Sequence, residues 1–212
     1  MGFPGSEGAP ENQGIDQFYG YNCQRQSHNF FPDHLWENAN RVPLQNTLTH
    51  QVDYAPELIQ QKAMAFMKAN RQQPFFLYLA YTLPHAGLQL PAGDPIFEQY
   101  KKEFKEIAQP ILNNWKGKGY QPQAYPKAAY AAMVSKLDQY VGEVVKELER
   151  LGIADHTLII FTSDNGPHRE GGNQPEFFNS SAGFKGIKRS LNEGGIREPM
   201  IAYWPKVIKQ GR

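Results

Sequence analysis

The chain has 212 residues with 22 basic and 21 acidic side chains and a formal net charge of +1, so bulk charge gives it no pull toward nucleic acid or an anionic membrane. Its 40% hydrophobic and 13% aromatic content is that of a globular protein, long enough for one substantial core or for part of a larger domain. A single cysteine, Cys23, excludes an intrachain disulfide framework and a cysteine-rich metal centre, and no stretch approaches the roughly 18 consecutive apolar residues of a membrane span.

The start, Met1-Gly2-Phe3-Pro4-Gly5-Ser6-Glu7, lacks the basic and apolar regions of a signal peptide, which leaves the compartment open. Residues 1–41 are rich in Gly, Pro, Asn and aromatics without a sustained period, and read as a loop-dominated segment. Tyr19, Tyr21, Phe30, Phe31 and Trp36 are too many aromatics for a disordered tail. They are expected to pack on a surface that this chain need not contain. Residues 42–212 read as an α/β core portion. From Tyr54 to Asn70 the apolar positions Leu58, Ile59, Ala63, Phe66 and Met67 recur at helical spacing. The run Phe75-Phe76-Leu77-Tyr78-Leu79-Ala80-Tyr81 is continuous and apolar, as in a strand covered on both faces of a parallel sheet. Pro84-His85 ends it, and Pro91 and Pro95 keep the next segment extended. A weak helix is expected over Ile96–Trp115, and a Gly/Pro/Gln loop from Gly117 to Tyr125.

The clearest helix runs from Pro126 to Arg150, where Met133, Leu137, Tyr140, Val141, Val144 and Leu148 step by threes and fours, with Gly152 as its stop. Thr157-Leu158-Ile159-Ile160-Phe161-Thr162 is predicted as a second buried strand, and Met200 to Trp204 as a short third. Helix, strand, functional loop, strand is the grammar of an open α/β sheet, whose ligands gather beyond the carboxyl ends of the strands. Both His85 and Asp164 fall at such ends.

Three constellations could carry chemistry. Asp164-Asn165-Gly166 follows a strand directly and offers two hard oxygen donors of the kind Ca²⁺ or Mg²⁺ takes; the tripeptide is equally an ordinary turn. The segment Gly183-Phe184-Lys185-Gly186-Ile187-Lys188-Arg189, leading into Asn192-Glu193-Gly194-Gly195-Ile196-Arg197-Glu198-Pro199, interleaves cations with glycines, so that backbone and charge can both approach an anion. A solvated basic loop with Arg197 paired to a neighbouring carboxylate is the alternative. His85 can donate to an oxyanion or shuttle a proton near neutral pH, or be merely structural.

Taken in chain order, these pieces resemble the sulfatase family of the alkaline-phosphatase-like superfamily, over nearly the whole chain. Phe161 to Gly166 looks like the family's second pair of cation ligands, and Lys188 to Pro199 looks like its lysine segment. The resemblance implies an α/β fold, part of an alkaline-phosphatase-like sandwich with a mainly parallel central sheet flanked by helices. It implies that Asp164 and Asn165 bind a divalent cation, Ca²⁺ with Mg²⁺ as the alternative. Lys188 would then contact a sulfate oxygen and the bridging oxygen, His85 would donate to the sulfate or the leaving group, and His168 would line the substrate pocket. Arg197 and Glu193 are expected to brace the lysine loop, and Asp138 to cap or pack. The implied partner is a sulfate ester, a sulfated glycan or an aryl sulfate, with no nucleic acid and no membrane; the family is commonly exported.

The chain departs from the family pattern in one respect that decides its chemistry. The family's nucleophile is a formylglycine made within Cys/Ser-x-Pro-x-Arg, and Cys23-Gln24-Arg25-Gln26-Ser27 has neither the proline nor the arginine. The family's Asp-Asp cation pair and Lys-Trp motif are absent as well. The expectation is therefore a partial catalytic domain over 1–212, cut at both ends, inactive alone and exposing apolar sheet surface. Two other readings stay open: a phosphate or phosphonate ester hydrolase of the same superfamily, and a non-catalytic descendant that binds sulfated glycans.

Overall fold

A computed structural model describes residues 2, 4–111, 115–209 and 211. The part of the predicted 96–115 helix over 112–114 lies outside the described residues. Strands β1 (Tyr19–Gly20), β2 (His34–Glu37) and β3 (Asn40–Pro43) are followed by helices α1 (Ala55–Asn70), α2 (Pro95–Phe104) and α3 (Pro126–Arg150). Strand β4 (Ile159–Thr162), the one-turn helix α4 (Glu193–Ile196) and strand β5 (Met200–Tyr203) complete the order.

The first segment is more regular than its composition suggests. β1, β2 and β3 form a small antiparallel sheet in that order, with Glu37 opposite Asn40 across a two-residue turn. Asn38 takes φ 51° there, a left-handed value that asparagine tolerates better than most residues. Its side-chain oxygen accepts from Phe18 N at 2.7 Å, which ties β1 to the hairpin. The aromatics pack as expected, and their cover lies within this chain. Phe30 and Phe31 are buried with Tyr54, Leu83, Leu88, Ala129, Met133 and Tyr140 in one cluster, while Tyr21 and Leu35 pack with Ala55 in a second.

α1 and α3 match the predicted helices. α3 ends in a Schellman turn: Gly152 N donates to Glu149 O, Ile153 N donates to Leu148 O, and Gly152 has φ 72°. α2 is shorter than expected. Asp94 caps its start by accepting from Ile96 N and Phe97 N, both at 3.1 Å, and Lys105 leaves it in the left-handed region. The next residue, Glu106, turns instead to the first turn of α3, accepting from Lys127 N at 3.2 Å and Ala128 N at 2.9 Å. Lys136, buried on α3, pairs with Asp94 at 3.0 Å and Glu57 at 3.3 Å, so one cation links all three helices. Asp138, for which a packing or capping role is expected, is exposed.

The strand expectations need correction. Residues 75–81 are extended but take no ladder partner among the described residues. Phe75, Leu77 and Leu79 pack against Met67, Val144 and Leu148, while Phe76 and Tyr78 are 80% and 76% exposed. β4 is shorter than predicted, and it pairs antiparallel with β5 through Ile159 and Tyr203 at one end and Thr162 and Met200 at the other. Ile160, Met200 and Ile201 are exposed. All ladders among the described residues are antiparallel, so the parallel pairing expected of 75–81 and β4 is not formed within them. One face of the α/β architecture is packed and the other is open.

Candidate active site

The site is assembled from two strand-end loops and the glycine-rich segment before β5. His85 follows the extended 75–81 run, in a stretch whose Leu83-Pro84 and Ala86-Gly87 peptides are cis. The first segment clamps this stretch: Gly87 N donates to His28 O at 3.2 Å, Phe30 N to the Gln89 side chain at 2.6 Å, and Tyr54 Oη to Gln89 O at 3.0 Å. On the other side the loop after β4 runs through Gly166, Pro167 and His168 into a 3₁₀ turn at Glu170–Gly172.

Backbone contact between the two motif segments explains their glycines. Gly166 N donates to Gly195 O at 3.1 Å, and a Cβ on Gly166 would sit 2.0 Å from Gly194 O. Gly194 in turn donates to Lys185 O, and its own Cβ would lie 2.2 Å from Gly186 O. Only residues without a side chain permit this approach. Lys188 N then donates to Pro167 O at 2.9 Å, which fixes the lysine beside the loop after β4. Arg197 bonds Glu193 at 3.2 Å and lies over the Phe184 ring at 4.7 Å, a brace for the loop as expected.

These backbone links bring Lys188 Nζ to 2.9 Å from His85 Nε2. His85 Nδ1 lies 2.6 Å from Ala86 O. An Nδ1–H donated to that carbonyl leaves Nε2 as the acceptor for the lysine ammonium, so the proton between the two belongs to Lys188 when the imidazole is neutral. Burial is the largest cause holding His85 below its ordinary pKa. The Ala86 carbonyl opposes it, Lys188 and His168 lower it further, and Glu170 raises it. His28 stacks on His85 at 5.0 Å between centroids and is likewise lowered, first by burial and then by His85 and Lys188. Tyr120 packs edge-on against His28.

His168 is buried and stacks on the other side of His85 at 5.5 Å. Its Nε2 donates to Pro84 O at 3.1 Å, and its Nδ1 lies 3.2 Å from a Glu170 carboxylate oxygen, at ion-pair distance but outside hydrogen-bonding geometry. Although His168, Arg169, Glu170, Ile187, Lys188 and Arg189 line a cleft of about 230 Å³, the imidazole nitrogens of His168 face the protein. Arg189 belongs to the basic segment that the sequence singles out, whereas Glu170 and His28 are additions to the group.

Asp164 and Asn165 stand apart from the imidazoles, at the end of β4, with Asp164 exposed. Their donor chemistry suits a hard cation. Burial first, then the Asp164 charge, pushes the Glu198 carboxyl up against a hydrogen bond from Ser163, and one Glu198 oxygen is buried without a hydrogen-bond partner. The turn is thus a spot of concentrated negative charge that a cation would relieve. Two donors are only part of the six to eight that Ca²⁺ takes. Among the described residues no group of three His, Cys, Asp or Glu side chains completes a cation site.

Lys188 and His85 thus converge on one point of an α/β scaffold, while the turn after β4 carries two oxygen donors of the kind a hard cation takes. The family model for sulfatases matches residues 2–212, and the chain belongs to the sulfatase family. It is similar to an uncharacterized sulfatase, YdeN, of Escherichia coli (strain K12), with 31% identity over 209 residues, 99% of this chain and 32% of that protein. It is also similar to the steryl-sulfatase of Homo sapiens, with 30% identity over 187 residues, 87% of this chain and 27% of that protein. Among solved structures it resembles Ps i-CgsB in complex with k-i-k-neocarrahexaose, at 29% identity and a TM-score of 0.69 over 94% of this chain and 42% of that one. The fold is accordingly the alkaline-phosphatase-like α/β fold of these sulfatases. The chain spans about a third of the length of the first of these curated relatives.

Proposed function

We propose that this chain supplies the sulfate-holding and leaving-group face of a sulfatase that hydrolyses sulfate monoesters. The observation that carries the proposal is the 2.9 Å contact between Lys188 Nζ and His85 Nε2, made by residues 103 positions apart and fixed by backbone bonds on both sides. A fixed ammonium meets negative charge growing on sulfate and bridging oxygens without reorganising, which is where electrostatic catalysis is largest. Lys188 also holds the proton that the leaving oxygen needs, and His85 holds Lys188 in place through Nε2.

Asp164 and Asn165 would hold a divalent cation, proposed as Ca²⁺ with Mg²⁺ as the alternative. When bound, the cation supplies Lewis-acid polarisation of the sulfate and anchors a hydrated formylglycine nucleophile. No Cys/Ser-x-Pro-x-Arg motif occurs in these 212 residues, so this chain contributes no nucleophile. The substrate class is proposed as a sulfated glycan or an aryl sulfate. The relatives carry names for steryl and N-acetylgalactosamine-6 sulfates, and Ps i-CgsB was solved with k-i-k-neocarrahexaose.

The test joins this chain in frame to an upstream sulfatase segment bearing Cys-x-Pro-x-Arg and co-expresses a formylglycine-generating enzyme. The joined protein is expected to turn over an aryl sulfate, whereas this chain alone is not. Asp164→Ala is expected to abolish turnover and to remove the cation from the purified protein by elemental analysis. Full activity and cation content in Asp164→Ala would refute the ligand assignment.

A further inference from the structure

Glu170 is a charged residue whose side chain is 15% exposed and which sits between His168 and Arg189. One of its oxygens pairs with Arg189, the neighbour of Lys188 in sequence. The other lies 3.2 Å from His168 Nδ1. His168 is joined to the His85 loop twice, by its bond to Pro84 O and by stacking on the His85 ring, and its main-chain carbonyl accepts from the Asn173 side chain at 2.7 Å. A close approach fixes the backbone here too: a Cβ on Gly171 would lie 3.1 Å from Ala86 Cβ and 3.2 Å from Leu88. Each contact leads to one partner of the Lys188–His85 pair, and Glu170 is where the two routes meet.

We infer that Glu170, acting through His168 and Arg189, is a positioning residue that holds His85 and Lys188 at bonding distance. This inference rests on the reading of that pair as the sulfate-handling centre. Glu170 touches neither reacting group, so its removal should loosen geometry and leave ground-state binding nearly intact. Its charge also reaches His85. The groups facing that imidazole are Lys188, His168, His28, Tyr120 and Glu170, and Glu170 is the one carboxylate among them.

Two readouts of Glu170→Gln test this, one of which needs no turnover. In the full chain, side-chain proton–nitrogen spectra of His85 follow its titration, and Glu170→Gln should displace that titration, because the imidazole loses a neighbouring carboxylate and its fixed contact with Lys188. In the joined enzyme, kcat should fall about 10- to 100-fold, the usual cost of losing an orienting partner, with KM changed less than threefold. Glu170→Asp should recover part of the kcat. A merely structural glutamate would lower the melting temperature in the variant while leaving kcat where it was, and that result overturns the inference. Should Glu170→Gln fail to fold, Arg189→Gln frees one carboxylate oxygen and is expected to give a smaller kcat loss in the same direction; unchanged kcat there would also overturn it. The two proposals fail separately. If Lys188→Ala and His85→Asn leave sulfate turnover intact, the centre itself is misassigned. If both abolish turnover while Glu170→Gln keeps kcat, only the positioning role falls.

Discussion

The corner around His85 and the β4–β5 ladder carry the two halves of the site on very different foundations. Behind His85 lie Phe30, Leu88 and Met133, all but fully buried, and the loop is tied to residues 28–30 by Gly87 N donating to His28 O and by the Gln89 side chain accepting from Phe30 N. Beneath Asp164 lies a two-stranded ladder whose Ile160, Met200 and Ile201 are 58%, 67% and 61% exposed. Isolated two-stranded ladders are marginal in water. The difference teaches that the Lys188–His85 pair is set by packing within this chain, whereas the turn proposed to hold a cation takes its position from a few backbone bonds to the 183–199 segment.

Substitutions in the two regions should therefore part company. Met133→Ala removes a fully buried side chain from the corner and is expected to cost about 2–5 kcal/mol, read by denaturant unfolding. A loss under 0.5 kcal/mol would mean the corner is not the core described. Gly194→Ala forces a methyl to within 2.2 Å of a backbone oxygen where the motif segments meet. It should cost about 1–3 kcal/mol and separate Lys188 from His85, seen as loss of the His85 ring signal of the wild type. Ile160→Thr on the open ladder should change stability by no more than about 0.5 kcal/mol and should raise solubility. A large loss there would show that Ile160 is covered in solution.

The pH dependence belongs to the corner as well. His85 is held below its ordinary 6.5, so it is neutral at pH 7 and able to accept from Lys188. Its contribution to stability is present above the unfolded-state value and is lost as pH falls through the lowered folded value. The acid limb of kcat/KM in the joined enzyme is expected below 6.5, and Glu170→Gln should displace it. A limb above 6.5 would assign it to another group.

Long-period patterns were read well from sequence. α1 and α3 lie where Leu58 to Met67 and Met133 to Leu148 place them, and Gly152 stops α3 as expected. The first segment was misread because β1 to β3 are only two to four residues long and their turn is Asn38-Ala39, a weaker hairpin signal than Asn-Gly. The 75–81 run looked doubly covered because Phe76 and Tyr78 are as apolar as their inward neighbours, and composition cannot say that one face is open. At the candidate site, His85, Lys188 and the Asp164 turn are legible through local motifs at strand ends and in the glycine-rich segment, and the structure brings the first two together. Glu170 is not, because an ion pair between two loops leaves no spacing in the sequence. The signal that could have raised Glu170 is its place two residues beyond His168, directly before Gly171-Gly172.

The most direct test of the central claim is a side-by-side measurement of aryl sulfate and aryl phosphate turnover by the joined enzyme and its Lys188→Ala variant. The account predicts a preference for the sulfate and a fall of about 100- to 1000-fold in kcat for the variant, the cost of removing one preorganised donor. Sulfate turnover undiminished in Lys188→Ala, or a preference for the phosphate, would contradict it.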